Sequence, residues 1–99
     1  MSNKLDEARK IINRVDSQMA ELFTERMRAA EMVFEYKKEH GLPILDQKRE
    51  DEVIKKNCAL IDDDVLKKYY EIYLKNMMSV SRSYQQYLEN GGNEDEFGF

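Results

Sequence analysis

The stretch "LDEARKIINRVDSQMAEL", Leu5 to Leu22, decides the architecture. Its apolar residues Leu5, Ala8, Ile12, Val15, Met19 and Leu22 step by three, four, three, four and three. That is a heptad seam, the pattern of a helix packed lengthwise against other helices. No Gly or Pro interrupts the chain from Met1 to His40. The spacing therefore predicts one helix from about Lys4 to Glu39, roughly 54 Å long at 1.5 Å per residue. The segment "HGLP" stops it, because Gly41 suits a C-cap and Pro43 cannot continue a helix.

Working outward, Asp46 is the expected N-cap of a second helix that runs to about Ala59. The run Asp62 to Asp64 offers caps and favourable negative charge at the start of a third. That helix carries Leu66, Tyr69, Tyr73, Met77, Val80, Tyr84 and Leu88 at helical spacing and ends at Asn90 and Gly91. Residues 1–90 form the expected domain, and 91–99 read as a short, flexible acidic tail. No segment shows the two-residue period of a strand, so the fold class is all-α with one long helix and two shorter ones. A compact domain of this length has a radius of gyration near ~13 Å. Two short helices cannot cover the first helix, and its apolar N-terminal half would be left in water. A homodimer is the expected answer.

Composition narrows the partners. The chain has 99 residues and a net charge of −4, so it has no basic footprint for nucleic acid or anionic membrane. The first ten residues lack the apolar core of a signal peptide, and no apolar run is long enough to span a bilayer. The cytosol is the expected compartment. Cys58 and His40 are the single cysteine and histidine, which makes a structural zinc site a poor expectation. Cys58 reads as a small packed residue rather than a nucleophile.

The seam changes character after Leu22. Four residues on stands Arg26, then Ala29, Ala30 and Val33, and four further Lys37. Arg9 borders the same stripe between Leu5 and Ile12. On the second helix the acid-first pairs Asp51–Lys55 and Glu52–Lys56 read as a solvated face, whereas Arg49 and Glu50 share a side with Val53 and Ile54, one turn after Asp46. On the third, Ser81 and Gln85 neighbour the apolar stripe, with Ser79 and Ser83 as a competing pair four apart. The inward set is thus Arg9, Arg26, Lys37, Asp46, Arg49, Glu50, Ser81 and Gln85. Its four cations and two carboxylates leave two positive charges over, and buried charge is costly unless something pairs with it. Two readings stand at this point. Either a small dianion supplies the balance, or the long basic stems cover apolar surface while their heads reach water. Arg9 and Arg26 are roughly 25 Å apart along one helix, so they cannot grip one small molecule from the same chain.

The ordered set resembles a known family. Arg9, Asp16 and Glu25-Arg26 in "R-x6-D-x8-ER", then Lys37, then "D-x-x-RE" at Asp46, Arg49 and Glu50, then Ser81 and Gln85, are similar to the all-α chorismate mutases. The resemblance covers about Leu5 to Leu88 and favours Ser81 and Gln85 over Ser79 and Ser83, since that choice alone supplies a Gln. It implies an intertwined homodimeric helical bundle with two equivalent sites, each borrowing one Arg from the other subunit. It also implies conversion of chorismate, a dicarboxylate, to prephenate in the route to phenylalanine and tyrosine, without metal or organic cofactor. By the same resemblance Lys37 and Gln85 donate to the ether oxygen, and Arg26 and the partner's Arg9 hold the carboxylates. Arg49 and Ser81 support carboxylate binding, and Glu50 with the Asp46 region takes the ring hydroxyl. Two alternatives stand beside it: an isochorismate–pyruvate lyase on the same scaffold, and a non-catalytic helical dimerisation module.

Overall fold

The computed structural model describes residues 3–92. The expected acidic tail lies, from Asn93 onward, outside the described residues. Three helices follow in order: α1 at Lys4–Glu39, α2 at Gln47–Cys58 and α3 at Asp64–Glu89. Each begins where an acceptor side chain meets free backbone N–H groups. Asn3 accepts from Asp6 N, Asp46 from Arg49 N, and Asp63 from both Val65 N and Leu66 N. α1 ends in a Schellman turn. Leu42 N–H donates to the Lys37 carbonyl at 2.8 Å and Gly41 N–H to Lys38, with Gly41 at φ +63°. α3 stops the same way, with Gly92 N–H on the Tyr87 carbonyl at 2.9 Å.

α3 packs on both α1 and α2 and is the central element. The buried apolar residues among those described are Ala30, Phe34, Leu74 and Met78. They lie where the C-terminal third of α1 crosses the middle of α3. Among the described residues the apolar seam in the N-terminal half of α1 has no cover, and Leu5, Ile12, Met19 and Leu22 are all exposed, Leu22 at 62%. The molecule is accordingly elongated, 57 × 29 × 21 Å, with a radius of gyration of 16.9 Å rather than the ~13 Å of a compact domain of this size. Among the described residues, no helix is long and apolar enough to cross a membrane.

Two expectations need correction. The stripe Leu66–Tyr69–Tyr73–Val80 on α3 does not face the intrachain core. Those residues are exposed, and the buried line is Leu74, Met78, Ser81 and Gln85. α3 is apolar on more than one face, and α1 and α2 occupy the face that contains the polar pair. The acid-first pairs on α2 do not form either. Asp51 accepts from Gln47 Nε2 at 2.9 Å, and Glu52 lies 4.0 Å from Arg49, so both carboxylates turn toward the helix N-terminus. That is the positive end of the helix dipole, which attracts them.

Leu74 is the most buried of the described residues, 2% exposed, on the helix that packs against both others. Leu74→Ala should lower unfolding free energy by about 2–5 kcal/mol. Leu60→Ala, at a site 74% exposed, should change it by less than about 0.5 kcal/mol. Urea unfolding at fixed chain concentration measures both, and equal effects would contradict the packing described.

Candidate active site

A cavity of about 300 Å³ opens where the C-terminal part of α1, the first turns of α2 and the C-terminal half of α3 meet. That size reaches the lower end of ordinary small-molecule sites. Its floor is apolar, with Ala29, Ala30, Val33, Ile44, Val53 and Met78. Polar groups reach it from all three helices: Arg26 and Lys37 from α1, Asp46, Arg49 and Glu50 from α2, and Ser81, Arg82 and Gln85 from α3.

The turn after α1 holds Lys37 twice. Its backbone carbonyl accepts the Leu42 N–H, and its ammonium donates to the Ile44 carbonyl at 2.7 Å. The α1–α2 loop is thereby folded back over the cavity rim, with Ile44 in the lining. An ammonium has three donors, so two remain for another acceptor. Asp46 caps α2 through Oδ1 and borders the same cavity. Glu50, one turn further, meets Arg82: a single guanidinium nitrogen, Nη1, donates to Oε1 at 2.5 Å and to Oε2 at 2.6 Å.

Ser81 and Gln85 are 7% and 6% exposed, the two buried polar residues of the chain's described part. The Gln85 amide oxygen is buried without a hydrogen-bond partner. A buried, unpartnered amide group costs free energy, so its presence beside a cavity points to a ligand that satisfies it. A half-turn of the terminal amide exchanges the oxygen for the Nε2 donor, so the position serves either sense. Ser79 is exposed and lies outside the cavity lining, as does Ser83.

The charge count of the cavity is the same as the sequence suggested, but not with the same residues. Arg26, Lys37, Arg49 and Arg82 stand against Asp46 and Glu50, which leaves two positive charges within one chain. Among the described residues, no cluster of His, Cys, Asp and Glu is grouped so as to hold a metal ion.

A family profile described as chorismate mutase type II matches residues 8–86. The chain belongs to the chorismate mutase type II family. A chorismate mutase of Methanocaldococcus jannaschii is 30% identical over 95 residues, covering 91% of this chain and 96% of that protein. No solved structure matches the chain significantly. As a chorismate mutase family member it is an isomerase-type enzyme, and neither the lyase nor the non-catalytic module is favoured by these matches. The matched segment spans every residue of the expected site, from Arg9 to Gln85.

Of those residues, Arg26, Lys37, Asp46, Glu50, Ser81 and Gln85 converge on the one cavity. Arg49 reaches it from the rim. Its side chain is 67% exposed, so its expected place on the buried side of α2 is corrected: a guanidinium keeps its head in water where no buried anion fixes it. Arg9 is exposed and does not line the cavity of its own chain. Arg82 was not legible from periodicity as a residue of this cavity. The signal that could have found it is its spacing, four residues after buried Met78 and three before Gln85, which puts it on their face of the helix.

A second polar cluster ties α1 to α3 beside the cavity. Tyr84, next to Gln85, donates its hydroxyl to Glu31, and Arg28, two residues after Arg26, is ion-paired to the same carboxylate. The Tyr84 hydroxyl, first, and the Arg28 guanidinium hold Glu31 below the usual carboxylate range. Tyr84 is raised, chiefly because the bond to Glu31 favours its protonated form. A lowered folded value for Glu31 means that its stabilising contribution is present above the ordinary carboxylate range and is lost as pH falls through that lowered value. Tyr84→Phe removes the leading cause. Carboxyl-detected NMR titration should place the Glu31 midpoint below those of exposed glutamates in the parent and higher in Tyr84→Phe, where Arg28 alone still lowers it. Equal midpoints in the two proteins would exclude this bond.

Proposed function

We propose that the chain converts chorismate to prephenate by a unimolecular Claisen rearrangement, in a site shared between two subunits. The observation that carries this reading is the convergence on one cavity of lining residues with two more cations than carboxylates and of an unpartnered buried amide, in a chain of this family. Chorismate brings two carboxylates for the two charges, and an ether oxygen that can accept from the Gln85 amide once it is turned to present Nε2.

The reaction breaks the ether carbon–oxygen bond as a carbon–carbon bond forms, without proton transfer, nucleophile or cofactor. The enzyme has two tasks. The first is to hold the compact, chair-like conformer, a matter of orientation. Arg26 and the partner's Arg9 bind the two carboxylates, with Arg49 and Ser81 in support, and Glu50 with the Asp46 region receives the ring hydroxyl. The second is to stabilise the negative charge that develops on the ether oxygen as its bond stretches. Lys37 and the Gln85 amide donate there. The surrounding apolar floor excludes water and strengthens both interactions.

The active form in this reading is an intertwined homodimer in the cytosol, with residues 1–90 as the functional domain. The exposed seam of α1 and the exposed Leu66–Tyr69–Tyr73 stripe of α3 are the surfaces that a second copy would cover. Because Arg9 lies roughly 25 Å along α1 from Arg26, the only chain that can bring it to an equivalent cavity is a neighbour.

The direct test is loss of chorismate's ultraviolet absorbance, with appearance of prephenate and no pyruvate, on adding the purified protein. Sedimentation at micromolar concentration should give twice the 11.8 kDa chain mass. Arg9→Ala and Arg26→Ala should each be nearly inactive, and re-equilibrating the two together should restore activity through heterodimers that hold one intact site. Heterodimers that form without regaining activity would exclude the shared site.

Gln85→Glu tests the ether-oxygen donor separately. An amide donates at any pH, while a carboxyl donates only when protonated and, once ionised, repels the developing charge. At high pH the variant should lose roughly 100- to 1000-fold in kcat/KM. It should recover as pH falls, while the parent stays flat over the same range. A variant that matches the parent at high pH would remove Gln85 from this role.

A further inference from the structure

The ion pair between Glu50 and Arg82 has no assigned part in the proposed rearrangement, and the role inferred for it rests on that reading of the site. Glu50 is a carboxylate in a site for a dianion. Its side chain is only 19% exposed, so water screens its charge poorly, and left uncompensated it would repel each substrate carboxylate. The other cations of the cavity are not bonded to it. Lys37 is held by the Ile44 carbonyl, and the Arg49 guanidinium is 67% exposed and turned toward Glu52. Among the described residues, Arg82 is the ion-pair partner of Glu50, and it touches both carboxylate oxygens from one nitrogen.

That geometry has two consequences. It removes the repulsion without removing the acceptor: an ionised carboxylate offers about four lone-pair sites, and the pair occupies two of them. It also fixes the carboxylate, since contact at both oxygens restrains rotation of the group about its bond to the chain. Arg82 follows Ser81 by one residue and precedes Gln85 by three, so one turn of α3 sets all three side chains.

We propose that Arg82 is a positioning residue that neutralises and orients Glu50, so that this carboxylate receives the substrate's ring hydroxyl while two negative charges are bound beside it. Arg82 acts through Glu50 and takes no part in bond making.

The test is steady-state kinetics on the full chain with folding followed by circular dichroism and urea unfolding. Arg82→Met leaves Glu50 charged and unpaired, and KM for chorismate should rise roughly 10- to 100-fold with kcat changed far less. Adding Glu50→Gln to Arg82→Met removes the stranded charge. The double variant should bind chorismate more tightly than Arg82→Met alone, although it still lacks the carboxylate acceptor. Arg82→Lys keeps the charge and should fall between parent and Arg82→Met. If Arg82→Met does not fold, Arg82→Gln carries the same expectation with a polar stem. A KM that stays at the parent value, or a double variant no better than the single, would overturn the proposal. A parent chain that binds and converts no chorismate would instead sink the mechanism itself, and this inference with it.

Discussion

The constraint on which the rest depends is unbalanced positive charge around a cavity that is only partly open to water. Arg26, Lys37, Arg49 and Arg82 surround it with two carboxylates for four cations. A chain of this size has few buried apolar residues with which to offset such a cost. The arrangement is tolerable because the charges other than Arg26 have local solutions. Arg82 bonds Glu50, Lys37 bonds a loop carbonyl, Arg49 reaches water, and Asp46 is spent on a helix N-terminus. What is left over is a site whose positive sign asks for an anion, and an unpartnered amide at Gln85 that asks for a polar group.

Helix termini do much of the positioning. The Schellman turn at Gly41 ends α1 so that Lys37 is the residue whose carbonyl closes the turn and whose ammonium holds Ile44. Asp46 then starts α2 four residues before Glu50, and Glu50's own N–H donates to the Asp46 carbonyl at 3.0 Å. A cap residue and a site residue are therefore set by the same turn of backbone. The positive φ of Gly41 is what lets the chain reverse there, and a side chain at that position would be strained. Beside the cavity, the Arg28–Glu31–Tyr84 cluster ties α1 to α3 where they bring Arg26 and Gln85 to a common cavity.

The molecule thus divides along its length. One end is a packed crossing of three helices with the cavity at its edge, and the other is a bare apolar seam on α1. A seam of this kind is stable only under cover, since every exposed Leu and Ile forfeits about 25 cal/mol for each Å² left in water. Shared-site catalysis, as proposed, would make one association meet both needs, covering the seam and delivering Arg9. Activity and folding would then depend on chain concentration together.

The sequence by itself determined the helices and their ends, because spacing and caps are local. The heptad steps from Leu5 to Leu22, the absence of Gly and Pro before His40, and the acceptors Asp46 and Asp63 act within one or two turns of backbone. It also pointed to most of the polar lining of the cavity, because a cation at a seam position, as at Arg26 or Lys37, is visible as a break in a periodic pattern. Which apolar residues of α3 turn inward beside Ser81 and Gln85 was not legible. Its tyrosine stripe has the stronger apolar pattern, yet Leu74, Met78, Ser81 and Gln85 are the residues that α1 and α2 cover. Nor was the partner of Glu50. Arg82 is 32 residues away in the chain, and an ion pair across two helices is decided by how they cross, which no local spacing encodes. Arg49 shows the same limit from the other side. Its spacing matched its neighbours on α2, but a long guanidinium goes where water or an anion is, and that is settled only when the surrounding helices are in place.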